Sequence, residues 1–104
     1  PSEISIIFCD DEYLRTINTQ YLGHNYYTDI ITFDYSSNNQ ISGDLFVSTD
    51  RVIENAHKNN VTFIDELYRV IIHGVLHLCG FNDKSDEEKV EIRKKENYFL
   101  NLIN

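Results

Sequence analysis

Ile4, Ile6 and Phe8 alternate with Ser5 and Ile7, and this period of two predicts a strand over residues 3–9, buried mainly on one face. Cys9-Asp10-Asp11 then offers a helix start with acids in the first turn. Leu14, Ile17, Tyr21 and Leu22 carry the helical period, and Gly23 is the stop. Residues 24–28 are polar and aromatic and read as a loop. Ile30, Ile31 and Phe33 make a second strand, and Ser36 to Gln40 is a turn with nothing to bury. A third strand runs from Ile41 to Ser48, where Gly43 predicts a bulge or a close backbone approach.

Helices follow. Ser48 or Thr49 caps a short one with Val52, Ile53 and Ala56 on its inner face. Thr62-x-x-Asp65 opens the next as a capping box. On it, Ile64, Leu67, Tyr68, Ile71, Val75 and Leu78 form one apolar stripe, opposite Glu66, Val70, His73 and His77. Ile72 and Leu76 fill much of the remainder, so this helix is expected to be central and buried nearly all round. Ser85-x-x-Glu88 caps a last helix with Ile92, Phe99 and Ile103 inward and Arg93-Lys94-Lys95 in solvent.

The order is β-α-β-β-α-α-α. Strands one and two, joined through a helix, are expected to be parallel, and strands two and three antiparallel. The fold class is therefore α+β: a small mixed sheet packed with helices. The 104 residues suit one domain with one core. No apolar run is long enough to cross a bilayer. Two cysteines, Cys9 and Cys79, make no disulfide framework and read as reduced core thiols of a cytoplasmic protein. A formal charge of −8 argues against a generic nucleic-acid coat; any polyanion must meet a local basic cleft or a metal.

The chemistry concentrates in residues 73–83. His73 and His77 lie one turn apart on one helix face, so their imidazoles can share one ion. Gly80 allows the chain to turn back and bring Asp83 toward them. Two nitrogens and a carboxylate oxygen leave a fourth position for water, the arrangement of a catalytic rather than a structural zinc. Imidazole favours zinc over magnesium. Cys79 points away from the histidine face and is not expected to be a ligand.

The spacing is that of the metzincin proteases with the last His replaced by Asp. Their general base, however, follows the first His as Glu, and here that position is Gly74; the chain also has no Met for a Met-turn.

A closer resemblance exists. His73-Gly74-Val75-Leu76-His77-Leu78-Cys79-Gly80-Phe81 resembles the His-Gly-x-Leu-His-Leu-x-Gly-Tyr/Phe signature of the YbeY family of bacterial metal-dependent endoribonucleases. Thr28-Asp29-Ile30-Ile31-Thr32-Phe33 is similar to that family's Thr-Asp-Val-x-Ser-Phe segment. Ser42-Gly43-Asp44-Leu45-Phe46-Val47-Ser48 is similar to its Gly-Asp-Ile-x-Ile strand, and Asn18-Thr19-Gln20-Tyr21 to its Leu-Asn-x-x-Tyr. The resemblance implies one zinc ion held by His73, His77 and Asp83. It also implies cleavage of single-stranded RNA, maturation of the small-subunit ribosomal RNA 3′ end and ribosome quality control. RNA, ribosomal RNA and the ribosome are the implied partners. Thr28, Asp29, Gly43 and Asp44 are the implied substrate cleft.

Three departures stand out. Asp83 stands where the family usually has a third His, which adds negative charge beside the ion. Leu22 stands where the family has Arg, the natural phosphate-binding group. The strand and helix that usually precede residue 4 are expected to be missing. No side chain is certain as the base: Asp29 and Asp44 are candidates, with turn capping as their plain alternative. A metzincin-like hydrolase and a non-catalytic, zinc-containing ribosome-binding module are the competing readings.

Overall fold

The computed structural model describes residues 3–103. It contains β1 (Glu3–Cys9), α1 (Asp11–Leu22), β2 (Ile30–Asp34), β3 (Ser42–Ser48), α2 (Thr49–Asn59), α3 (Phe63–Leu78) and α4 (Asp86–Ile103). The element order and the α+β class are those the pattern predicts.

The sheet order is β1-β3-β2. Thr32 of β2 pairs antiparallel with Leu45 of β3, as expected for a hairpin turning at Ser37–Gln40. β1 does not lie beside β2. It pairs parallel with the far edge of β3, Ile6 opposite Leu45, and so runs antiparallel to β2. The expected parallel β1–β2 pair is thus corrected. The reason lies in β3, where Leu45 and Val47 are fully buried. A strand that apolar belongs in the centre, and a hairpin alone covers only one of its edges.

Leu14 and Ile17 of α1 pack with Ile31, Phe33 and Phe46 on one face of the sheet. Val52 of α2 and Val70 of α3 pack with Val47 on the other. On that second face β1 carries Ile4, Ile6 and Phe8, all exposed, because the helices cover β2 and β3 but stop short of β1. The expectation of a strand buried mainly on one face fails there.

Gly43 shows why a strand glycine was needed. A Cβ on it would sit 2.5 Å from the Phe33 carbonyl oxygen and 2.7 Å from a Leu78 methyl. This is the close approach that the sequence suggests, and the β3 register runs through it unbroken.

The helix faces are rotated from those predicted. In α3 the buried line is Glu66, Val70 and Gly74, joined by Leu76 and Leu78, whereas Ile64 and Tyr68 are exposed. Gly74 draws the helix onto the sheet: its Cβ would meet Ile30 Cδ1 at 2.6 Å. The buried Glu66 accepts a hydrogen bond from Asn59 (3.3 Å), so a charged residue occupies the face that an apolar stripe was expected to mark. In α4 the inner line is Ile92, Glu96 and Leu100, with Phe99 and Ile103 exposed. In α1, Asn18 is buried and Tyr21 and Leu22 are open; in α2, Ile53 is open. Cys79 is exposed rather than a core thiol, and Cys9 is half-buried.

The N-caps form as read, and of the box expected at Thr62 the structure shows one half, the Asp65 N–H donating to Oγ1 at 3.1 Å. Asp10, Ser48 and Thr62 each accept an N–H from the first turn of their helix. Ser85 and Glu88 form a reciprocal box before α4, Oγ and Oε1 accepting each other's backbone N–H at 3.1 and 3.0 Å.

Candidate metal centre

The end of α3 supplies two donors and the turn after it supplies the third. Cys79 caps the helix, and Gly80 at φ 101° takes the chain out of helical conformation. The Phe81 N–H donates to the Leu76 carbonyl at 3.0 Å, which closes the reversal. Asp83 is thereby carried back over the last turn. Its Oδ2 lies 3.2 Å from His73 Nε2 and 3.5 Å from His77 Nε2. The two Nε2 atoms are 3.0 Å apart.

These distances test whether a cation fits. Four ligands placed tetrahedrally at about 2.0–2.1 Å from a zinc-sized ion stand about 3.3 Å from one another. Separations of 3.0, 3.2 and 3.5 Å bracket that value. His73, His77 and Asp83 are the one such group among the described residues, and they could hold a metal ion.

Beneath the cluster, His73 Nδ1 lies 2.6 Å from Glu96 Oε2. The other Glu96 oxygen accepts from Arg69 Nη1 at 2.9 Å, and Arg69 Nη2 donates to Asn97 Oδ1 at 2.9 Å. Glu96 is almost wholly buried. Burial works to raise its carboxyl, but hydrogen bonds from His73 and Arg69 outweigh it and hold Glu96 below the usual carboxylate range. The Glu96 hydrogen bond in turn raises His73; burial opposes, and the charges of Glu96, Asp83 and Asp29 add to the rise. With the Nδ1 proton committed to Glu96, the Nε2 lone pair of a neutral His73 faces His77 and Asp83. The signal for Glu96 was its place between Ile92 and Leu100 at helical spacing, which marks it as inward-facing.

The cluster opens into a cleft of about 580 Å³ whose wall includes Leu22, His24, Tyr26, Thr28, Asp29 and Lys84. Of the four residues expected to line a substrate cleft, the fold brings Thr28 and Asp29 here. Burial pushes the Asp29 carboxyl up; the neighbouring His73 and the backbone N–H groups of Asp29 and Ile30 pull the other way, while Glu66 adds to the rise. Asn55 Nδ2 donates to Asp29 Oδ2 at 3.4 Å. Asp44 lies elsewhere. It accepts from the Tyr35 hydroxyl at 3.3 Å, in a depression it shares with Tyr21, Phe33 and Phe46. Gly43 is buried under Leu78 and has no wall of the cleft to form. Gly74 faces Ile30 and Leu45, so a side chain there would enter the sheet packing rather than the cleft. That position cannot supply a protease's general base.

Comparison with known proteins places this geometry in a family. The model of the family described as endoribonuclease YbeY matches residues 1–104. The chain is 55% identical over 94 residues to the endoribonuclease YbeY of Christiangramia forsetii, covering 90% of this chain and 66% of that one. It is 57% identical over 94 residues to that of Flavobacterium johnsoniae (90% and 68%), and 52% identical over 101 residues to that of Parabacteroides distasonis (97% and 71%). The solution structure of TM1509 from Thermotoga maritima superposes with a TM-score of 0.66 at 34% identity, covering 92% of this chain and 66% of that one. The chain thus spans about two thirds of the length of the relatives it matches. This chain belongs to the endoribonuclease YbeY family.

Proposed function

We propose that the protein is a zinc-dependent endoribonuclease that cuts single-stranded RNA, with His73, His77 and Asp83 as the ligands. The observation that carries this reading is the three-donor cluster at the floor of an open cleft, in a chain of the YbeY family. Two imidazoles with one carboxylate suit zinc better than magnesium, which prefers all-oxygen sites. When bound, the ion supplies Lewis-acid polarisation of a phosphate oxygen and makes water easier to deprotonate.

The chain's own residues supply the rest. Glu96 holds the His73 proton on Nδ1, so Nε2 is free to bind. Of the two cleft carboxylates outside the donor set, Asp29 and Asp34, Asp29 is the half-buried one that neighbours His73, and it is the residue we assign to hold the proton released by the attacking water. Thr28 lines the strand path beside it. Lys84 is the cleft's cationic side chain for phosphate.

The physiological substrate on this reading is ribosomal RNA at the 3′ end of the small subunit, on the ribosome, in the cytoplasm. No helix among the described residues is long and apolar enough to cross a membrane. On this reading residues 1–104 belong to one ribonuclease-like domain.

The test is incubation of the metal-loaded protein with a single-stranded RNA and with casein, each with and without chelator. RNA cleavage that the chelator abolishes, with casein untouched, is expected. Metal-dependent casein cleavage would favour the metzincin-like alternative, and RNA binding without cleavage the non-catalytic one.

A further inference from the structure

The cleft is poorly equipped to hold RNA by charge. Asp29, Asp34 and Asp83 line it, against Lys84 as its Lys or Arg side chain among the described residues. The whole chain carries −8. Counterion release, which supplies most sequence-independent nucleic-acid affinity, needs several Lys or Arg contacts and is weak here. The other sequence-independent source of affinity for a single strand is stacking of bases on aromatic rings.

The cleft wall carries such rings. His24 and Tyr26 are stacked, centroids 5.2 Å apart and planes within 15°, with the Tyr26 hydroxyl 3.0 Å from His24 Nδ1. Both are solvent-exposed. Exposed rings gain little from burial, so their fixed geometry must come from the backbone. Gly23 at φ 70° turns the chain out of α1. The His24 N–H donates to the Asn18 carbonyl at 3.1 Å. Asn18 Nδ2 donates to the Tyr26 carbonyl at 3.1 Å. Asn18 is 2% exposed, a buried amide that ties this loop to α1. Both aromatic residues are therefore anchored at the main chain to α1; one face of each ring is turned to the other ring, and the exposed pair borders the cleft.

We infer that the His24–Tyr26 pair is a stacking platform for an unpaired nucleobase of the strand whose phosphate lies at His73, His77 and Asp83. This rests on the ribonuclease reading above and adds to it the group that holds the substrate. It also gives a physical reason for single-strand selectivity, since bases within a duplex are already stacked and paired and cannot lie on the ring.

The experiment is equilibrium binding to the metal-loaded protein by fluorescence anisotropy. The probes are a 2′-O-methylated RNA strand, chosen to resist cleavage, and an abasic strand of equal length. Tyr26→Ala and His24→Ala are expected to weaken binding of the base-bearing strand by about five- to 150-fold. The abasic strand should bind the wild-type protein weakly and respond little to either change. Tyr26→Phe keeps the ring and should retain most of the affinity. Unchanged thermal melting of the exposed-site variants excludes misfolding as the cause. Equal affinity of the wild type for the two strands, or equal losses on both, overturns the platform. Chelator-sensitive RNA cleavage by the same wild-type preparation would show that the ribonuclease reading stands even then; its absence would bring down both.

Discussion

Glu96 Oε2 sits 2.6 Å from His73 Nδ1, and the carboxylate so placed is buried, with Arg69 on its second oxygen. A metal-ligating histidine whose other nitrogen donates to a carboxylate is fixed in both tautomer and ring orientation. Glu96→Gln keeps an acceptor for the Nδ1 proton and removes the charge. It is expected to weaken zinc affinity by about tenfold, and Glu96→Leu by up to about a hundredfold. Competition against a chromophoric chelator measures both. Wild-type zinc affinity in Glu96→Leu would show that the contact is structural alone.

The same pair makes the metal-free protein sensitive to pH. His73 is raised in the folded state by Glu96, so its contribution to stability is fully present below about pH 6.5 and is lost as pH rises through the folded value. Glu96 is lowered, so its contribution is present above its ordinary range and is lost as pH falls through the folded value. The pair therefore stabilises the metal-free protein most in mildly acidic solution. Zinc requires a neutral imidazole, so its affinity rises as pH climbs through the value at which His73 loses its proton. Thermal melts of the metal-free protein and of Glu96→Gln across this range test the first point: the difference between them should shrink above neutrality. A difference that grows with pH would contradict it.

Two glycines hold the site's supports together, and they differ in what surrounds them. An alanine methyl at Gly43 would strike the Phe33 carbonyl oxygen, which is backbone and cannot swing aside. At Gly74 the nearest atom is the end of the Ile30 side chain, which can. Gly43→Ala is expected to cost about 2–3 kcal/mol, in the range of core overpacking. Gly74→Ala should cost less, because Ala is favoured over Gly within a helix by about 1 kcal/mol. Denaturant unfolding of the two variants decides it; the reverse order would mean that α3, rather than the strand pair, is the rigid partner.

Much of this was legible in the residues, and the misses share a cause. Strands, caps and turns were readable because Asp10, Ser48, Thr62, Gly23 and Gly80 act locally. The metal cluster was readable because an i, i+4 pair and a following Gly fix most of its geometry. The inner faces of α3 and α4 were misread because each buries a glutamate, Glu66 or Glu96, whose partner lies on another helix. Tracing apolar residues alone passes over a charged residue that an Asn or Arg on a neighbouring helix makes burial-competent. The place of β1 was missed for a similar reason. Which edge of β3 it takes depends on packing between whole elements, not on any local pattern. Asp29 and Asp44 looked alike in sequence, and only the fold sends one to the cleft and the other to an aromatic depression.

Leu22 forms part of the cleft wall, at the position where the family resemblance calls for Arg. Leu22→Arg should therefore speed RNA cleavage. One restored charge-assisted phosphate contact is worth about 1.5–3 kcal/mol, or roughly ten- to a hundredfold. The gain should shrink as salt rises. Single-turnover cleavage by both proteins at two salt concentrations tests this, and equal rates at low salt would show that residue 22 does not reach the phosphate.

The central claim is that His73, His77 and Asp83 hold one ion on which cleavage depends. Its most direct test is a zinc titration of the chelator-stripped protein, following bound metal and single-turnover RNA cleavage together. Both should be absent at the start and saturate together at one equivalent. Asp83→Ala should need at least about tenfold more zinc to reach half-saturation, since it removes one of three ligands. Cleavage by the stripped protein, or an unchanged titration for Asp83→Ala, would contradict the account.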